Sequence, residues 1–246
     1  MKVVAIIQAR MGSTRLPGKV LKEVLNKPLL AYQIERVQKV TRLDEIVIAT
    51  TKLAGDDAIV SLCHQLNVPF YRGDEKDVLA RFYEAATSLK ADVIVRLTSD
   101  CPIIDPHVIE KGISLFEEYH NKFDYISNTM QRTYPRGMDT EVFSFDALKQ
   151  AYYMARSHSE REHVTLFFRN QSDLFRILNF YYKEDQSANR WTVDTIEDFE
   201  LIKRIIEKLH PNNPLFTLED TLQLLKQFPH WKQLNVHVEQ KENEDK

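Results

Sequence analysis

Three short stretches of the chain are almost continuously apolar: Val3 to Ile7, EIVIAT (Glu45 to Thr50) and DVIVRLT (Asp92 to Thr98). A strand wetted on one face alternates polar and apolar residues, whereas a strand covered on both faces does not, so these runs predict buried parallel strands. The segments between them change period. Leu29, Ile34 and Val37, then Ile59, Leu62 and Leu66, then Val78, Leu79, Phe82, Ala86 and Leu89 recur at helical spacing. Strand and helix alternate, which predicts a βαβ array with helices on both faces of one sheet. In such a sheet ligands bind at the carboxyl ends of the strands.

The second half is less regular. It predicts a helix after Pro106, strand pieces at FDYIS (Phe123 to Ser127) and DTEVFSF (Asp139 to Phe145), and a helix from Asp146. RILNFYY (Arg176 to Tyr182) and RWTVD (Arg190 to Asp194) read as two further strands, and Ile196 to Leu209 and Leu218 to Phe228 as closing helices. The final EQKENEDK is charged without apolar periodicity and is expected to be a frayed tail.

Composition narrows the partners. Lys and Arg total 33 against 36 Asp and Glu, a net charge of −3, so no general attraction to nucleic acid or an anionic membrane is expected and any anion binding must be local. Two cysteines, Cys63 and Cys101, without CxxC spacing argue against a disulfide scaffold or thiolate zinc site and fit a reducing cytoplasm. VVAII is too short for a signal-peptide core and no longer apolar stretch follows, so neither export nor membrane spanning is expected.

Local positive charge stands directly after the first predicted strand. QARMGSTRLPGK (Gln8 to Lys19) gathers Arg10, Arg15 and Lys19 around Gly12, Pro17 and Gly18, a cationic loop. It resembles a Walker A loop only loosely: Gly12 and Gly18 enclose five residues, Val20 replaces the magnesium-binding hydroxyl, and Pro17 lacks an N–H. Phosphate charge must then be met by side chains, and Arg10, Arg15 and Lys19 suit a triphosphate; a solvated basic turn is the alternative. Asp100 follows the strand DVIVR in LTSDCPIIDP, and Asp194 ends RWTVD, two carboxylates expected at the same sheet edge. Mg²⁺ commonly takes one or two carboxylates together with substrate phosphates, so this pair is the candidate metal site. A turn anchor at Asp100 and a helix cap at Asp194 are the competing roles.

YPRGMDTE adds Arg132 and Arg136 beside Asp139 and Glu141, read either as a site for a carboxylate-bearing acceptor or as a surface salt-bridge set. His158 and His163 in SHSEREH lie five apart, about 140° around a helix, which excludes an HExxH zinc pair. Phe167 with Phe168 and Tyr181 with Tyr182 read as packing aromatics.

IIQARMGSTRLPGKVL resembles the opening signature of the cytidylyltransferases that activate acidic sugars, the CMP-sialate and CMP-KDO synthetases. LTSDCPIIDP, YPRGMDTEVF, REHVT and RWTVDT carry the likeness to about Phe199 and point to the spore coat polysaccharide biosynthesis SpsF branch. The resemblance implies a Rossmann-like three-layer α/β/α nucleotidyltransferase with a mostly parallel mixed sheet, a smaller α+β acceptor and dimerisation region, and a homodimer. It implies nucleotide contacts from Ala9, Arg10, Ser13, Arg15, Lys19, Ser99 and Asp100, with Arg81 either reaching base or ribose or lying on a solvated helix face. It also implies that Asp100 and Asp194 hold Mg²⁺, and Arg132, Arg136, Asp139 and Glu141 are expected to face the acceptor. CTP and an acidic sugar are the implied substrates, with Arg10, Arg15 and Lys19 catalytic. Cys101, between Asp100 and Pro102, stands where KDO enzymes are expected to carry an acidic residue. Residues 1–234 are expected to form one domain, nucleotide-binding to about 105, acceptor and dimerisation to about 190, and closing elements to 234; residues 235–246 are the expected disordered tail. A glycosyltransferase and a non-catalytic nucleotide-binding module are the rival functions.

Overall fold

The computed structural model describes residues 1–171 and 173–240. Its sheet is built from β1 (Val3–Gln8), β4 (Glu45–Thr51), β5 (Phe70–Gly73), β6 (Val93–Thr98), β7 (Tyr125–Ser127), β8 (Glu141–Ser144) and β9 (Ile177–Asn179), while β2 (Glu23–Val24) and β3 (Lys27–Pro28) form a separate small hairpin. The helices are α1 (Leu29–Val37), α2 (Asp57–Leu66), α3 (Val78–Ser88), α4 (Pro106–Tyr119), α5 (Phe145–Met154), α6 (His158–Glu162), α7 (Leu166–Asn170), α8 (Ile196–Leu209) and α9 (Leu218–Gln227). None of these is long and apolar enough to cross a membrane.

Strand order is β5-β4-β1-β6-β8-β7-β9. β1 pairs in parallel with both β4 and β6, β4 with β5, and β7 with β9; β8 alone runs against its neighbours β6 and β7. The expected mostly parallel mixed sheet is therefore present. The continuous apolar runs have the expected cause: Val3, Ala5 and Ile7 face one core with α1, α2, α4, α8 and α9, while Val4 and Ile6 face a second core with α3, α5 and α7. Helices thus cover both faces, giving three layers.

Several boundaries differ from expectation. RWTVD is not a strand. Arg190 makes one bridge to Arg136, then Trp191 N donates to Arg136 O at 2.7 Å and Val193 N to Asp100 O at 2.8 Å, so successive amides serve different partners and no ladder forms. Trp191 and Val193 are nonetheless buried, which accounts for the strand-like pattern. RILNFYY contributes only Ile177–Asn179, and DTEVFSF shortens to Glu141–Ser144 because Ser144 Oγ accepts from Ala147 N and starts α5. β5 was not expected: its residues Phe70, Tyr71 and Arg72 sit half-buried at the sheet edge and lack an apolar run. The β2–β3 hairpin turns through Leu25 and Asn26, both at positive φ (50° and 59°), a geometry that sequence normally signals with Asn-Gly rather than Leu-Asn.

Gly137 fixes where the later segments meet. Its φ is +102°, and a Cβ there would lie 2.6 Å from Trp191 O, so only glycine allows the 136–138 loop to touch the 190–194 segment. That contact carries Asp194 to the end of β6.

Candidate active site

β1 and β6 lie side by side, so their carboxyl ends open at one point of the sheet edge. Ser99 N donates to Gln8 O at 3.1 Å, joining the loop after β6 to the start of the cationic loop. Asp100 O accepts from Val193 N and from Thr192 Oγ1 at 3.2 Å. The backbone of Asp100 thereby anchors the segment that ends in Asp194.

The cationic loop is folded back on itself. Met11 O accepts from Ser13 N at 2.9 Å and from Gly18 N at 3.0 Å, and Met11 N donates to the buried Asp56 Oδ1 at 2.7 Å. Gly18 adopts φ +68°, and a single 3₁₀ turn, Lys19–Leu21, follows with Val20 buried beneath it. This directs Lys19 inward. Its ammonium lies 2.8 Å from Asp194 Oδ1 and 3.4 Å from Asp100 Oδ2. Arg15 Nη2 meets Asp194 Oδ2 at 2.9 Å. Burial works against the Lys19 charge, but Asp100 and Asp194 outweigh it and raise the pKa above its ordinary value. Burial opposes the Asp100 charge as well, and Lys19, Thr98 and Cys101 together still bring its pKa below the ordinary carboxylate range.

Both carboxylates are held on their other oxygen. Thr98 Oγ1 donates to Asp100 Oδ1 at 2.5 Å, and Cys101 Sγ approaches the same oxygen at 3.4 Å. Arg190 Nη2 donates to Asp194 Oδ2 at 2.7 Å while its Nε bonds Asp198 Oδ1 at 2.9 Å. Asp198 is fully buried, closes the capping box of α8 with Thr195, and accepts from Asp194 N at 2.9 Å. The expected tail takes part: Asn235 Nδ2 donates to Asp198 Oδ1 at 2.8 Å and to Arg190 O at 2.9 Å, and Gln240 Oε1 accepts from Arg190 Nη1 at 2.6 Å. Asn235 is 4% exposed and docked at this point, whereas Val236 is 69% exposed; residues 241–246 lie outside the described residues.

A cleft of about 2070 Å³ opens beside the two aspartates, lined among others by Arg96, Arg132, Arg136, Asp139, Glu141 and Arg169. Asp139 is engaged by Arg132, whose Nη2 donates to its Oδ2 at 2.9 Å. Glu141 faces inward, 3% exposed, between Arg96 and Arg169, and accepts from the Tyr125 and Thr165 hydroxyls. Burial alone would raise its pKa, but the two guanidinium groups and the hydroxyls outweigh that and lower it to about 2. Glu141 is therefore a fully engaged structural charge in the cleft floor. Arg136 differs from Arg132: no carboxylate of the described residues pairs with it. A smaller apolar pocket of about 430 Å³ between Tyr32, Arg36 and His210 shares no lining residue with the cleft.

The remaining expected nucleotide contacts spread along the loop and its surroundings. Ala9 is buried and donates its N–H to Ala49 O at 3.0 Å, Ser13 Oγ accepts from Leu16 N at 3.4 Å, and Arg10, half-exposed, lies 3.6 Å from Glu75. Arg81 is not on a solvated helix face. It is 2% exposed on α3, packs against Gly73, and donates through Nη1 to Asp74 O at 2.9 Å; burial, with Arg10 near, lowers its pKa to about 10.

Sequence reasoning left Arg190, Asp198, Arg96 and Arg169 without roles. Signals for two of them stand in the sequence: Thr195 to Asp198 has capping-box spacing just after Asp194, and Arg96 is the one charge inside an apolar strand; Arg190 and Arg169 carry no such signal.

Two aspartates from distant parts of the chain thus share one ammonium at the carboxyl end of a parallel sheet, directly after a cationic loop. A profile described as cytidylyltransferase matches residues 4–243. The chain belongs to the cytidylyltransferase family. The cytidylyltransferase of Leptospira borgpetersenii superposes with a TM-score of 0.91 at 32% identity, covering 98% of this chain and 99% of that one. The Bacillus subtilis spore coat polysaccharide biosynthesis protein SpsF is 35% identical over 213 residues, 84% of this chain and 87% of SpsF. The structure of CMP:2-keto-3-deoxy-manno-octonic acid synthetase complexed with CTP, at 20% identity and TM-score 0.67 over 85% of this chain and 99% of that one, shares the fold. The cytidylyltransferase is thus a nucleotidyltransferase enzyme on a three-layer α/β/α scaffold.

Proposed function

We propose that this cytidylyltransferase moves CMP from CTP to a hydroxyl of an acidic sugar, releases pyrophosphate, and serves surface or spore coat polysaccharide synthesis as a cytoplasmic homodimer. The observation that carries the reading is the convergence of Asp100 and Asp194, both lining the cleft, on the single Lys19 ammonium. Similarity to SpsF supports the polysaccharide context.

The residues fit a divalent cation. Each carboxylate has one oxygen occupied by protein donors and one directed at a common cation, and hard carboxylate oxygens suit Mg²⁺. Asp100 and Asp194 would hold it, and it would supply Lewis-acid stabilisation of phosphate oxygens. Arg10, Arg15 and Lys19 bind the triphosphate and offset the charge that grows on the leaving pyrophosphate, with Ala9, Ser13 and Ser99 completing the nucleotide side, while the buried Arg81 acts at a remove by holding the loop after β5 through Asp74 O. In the reaction the acceptor hydroxyl gives up its proton to water as its oxygen bonds the α-phosphorus, the bond from that phosphorus to the αβ-bridging oxygen breaks, and pyrophosphate leaves with the electron pair. Positioning and electrostatics suffice, and no side-chain nucleophile is needed.

Arg136, which pairs with no carboxylate among the described residues, orients the acceptor carboxylate, with the Arg132–Asp139 pair as the adjoining wall. Glu141 acts indirectly, by holding Arg96 and Arg169 in the cleft floor. A panel of sugar acids offered with CTP and with UTP tests the reading. Pyrophosphate release with CTP and one acid supports it; a glycosyltransferase would release a nucleotide from a nucleotide sugar, and a binding module would release nothing.

A further inference from the structure

Every oxygen of the two candidate metal ligands meets a protein donor among the described residues. Asp100 Oδ1 is taken by Thr98 and Cys101, and Asp194 Oδ2 by Arg15 and Arg190. The two oxygens left over, Asp100 Oδ2 and Asp194 Oδ1, are those that Lys19 Nζ meets, at 3.4 and 2.8 Å. We infer that Lys19 is a metal-gating residue: its ammonium fills the two-carboxylate position when no nucleotide is bound and withdraws when phosphates offer it a replacement. The inference rests on reading Asp100 and Asp194 as the divalent-ion ligands.

The geometry allows the exchange. The backbone of Lys19 is fixed by Gly18 in the left-handed region, by Lys19 N donating to Leu16 O at 3.2 Å, and by Val20 in the core. The four-carbon stem beyond Cα has rotatable bonds through which the head can move, and an ammonium, unlike a guanidinium fork, changes partners without loss of geometry. The Lys19 side chain is 13% exposed, so an arriving cation meets a desolvated positive charge rather than two open carboxylates. Bare metal binding is thereby disfavoured. A nucleotide draws Lys19 and Arg15 towards its phosphates and frees both carboxylates at the same moment. Metal and nucleotide then raise each other's affinity by the same factor, as linkage requires. Chemically, the gate keeps a divalent ion from settling in the site without its substrate.

The test is direct Mn²⁺ binding to the full chain without nucleotide, read by the EPR signal of the free ion, for the wild type, Lys19→Met and Lys19→Met/Asp100→Asn. The expected result is Mn²⁺ affinity in Lys19→Met at least about tenfold above wild type, lost again in the double variant. Lys19→Gln, which keeps a polar donor without the charge, should show the same gain and serves if the methionine variant folds poorly, with thermal unfolding as the check on folding. Folded Lys19→Met and Lys19→Gln proteins that bind Mn²⁺ no better than wild type, while the wild type with CTP binds it in an Asp100-dependent way, overturn the gate and leave the metal site standing. If Mn²⁺ binding depends on Asp100 in none of these proteins, with or without CTP, both the gate and the underlying metal reading fail.

Discussion

Lys19 and Asp194, 175 positions apart in sequence, lie 2.8 Å from one another, and Asp100 completes the group at 3.4 Å. The contact ties the first loop of the fold to the segment before α8 through a charge-assisted hydrogen bond, Lys19 Nζ donating to Asp194 Oδ1. Removing either aspartate therefore removes a candidate metal ligand and leaves Lys19 with a single counter-charge. Asp194→Asn and Asp100→Asn are each expected to lower turnover by about 100-fold or more at saturating CTP. Steady-state rates at increasing Mg²⁺ check this, and near-normal rates in either variant remove that residue from the site.

Gly137 predicts a coupled loss. Gly137→Ala places a Cβ 2.6 Å from Trp191 O at a φ of +102°. The 136–138 loop must then separate from the 190–194 segment that carries Asp194. Stability should fall by about 1–3 kcal/mol in urea unfolding, with a drop in turnover that Gly55→Ala, where a Cβ meets nothing within 4 Å, does not share.

Glu141 predicts an acid-sensitive core. A carboxyl whose pKa falls on folding stabilises the native chain above its unfolded value, and that contribution disappears as the pH drops towards the folded value. Glu141 falls from 4.5 to about 2, so wild-type stability should decline between those pH values through this group. Glu141→Gln should be less stable than wild type at pH 7 by about 3–5 kcal/mol, because Arg96 and Arg169 lose their shared counter-charge. The gap between the two proteins should narrow on acidification, as measured by urea unfolding across that range.

The C-terminal segment should matter to the site. Asn235→Leu removes donors to Asp198 and to Arg190 O, both buried, and is expected to cost about 1–3 kcal/mol and to loosen the Arg190 hold on Asp194. Comparison of unfolding and of the Mg²⁺ concentration needed for half-maximal rate checks both halves of the statement.

How far the chain could be read from its residues depended on whether one local pattern or a distant partner decided the outcome. Val3 to Ile7 and Val93 to Thr98 were legible because burial on both faces leaves a continuous apolar trace. β5 was not, since an edge strand needs little apolar surface, and the Leu25–Asn26 turn was not, since Leu rarely adopts positive φ. RWTVD imitated a strand because Trp191 and Val193 are buried by neighbours that contribute no ladder. In the site, the charges of the opening loop and the two aspartates were visible, but their pairing was not. The spacing of Lys19 suggests a phosphate partner and carries no sign of the Asp100 and Asp194 carboxylates it meets; that of Glu141 suggests a substrate and carries no sign of Arg96 and Arg169. The choice of partner for a charge is settled in three dimensions, where sequence spacing carries no record of it.

The reaction itself is the most direct test. ³¹P NMR of a mixture of the protein, Mg²⁺, CTP and a set of sugar acids should show the triphosphate signals replaced by one pyrophosphate resonance and one phosphodiester resonance whose intensities stand at two to one, as equimolar products require. Persistence of CTP with every acid, or conversion to CDP or CMP with free phosphate, would contradict nucleotidyl transfer to an acidic sugar.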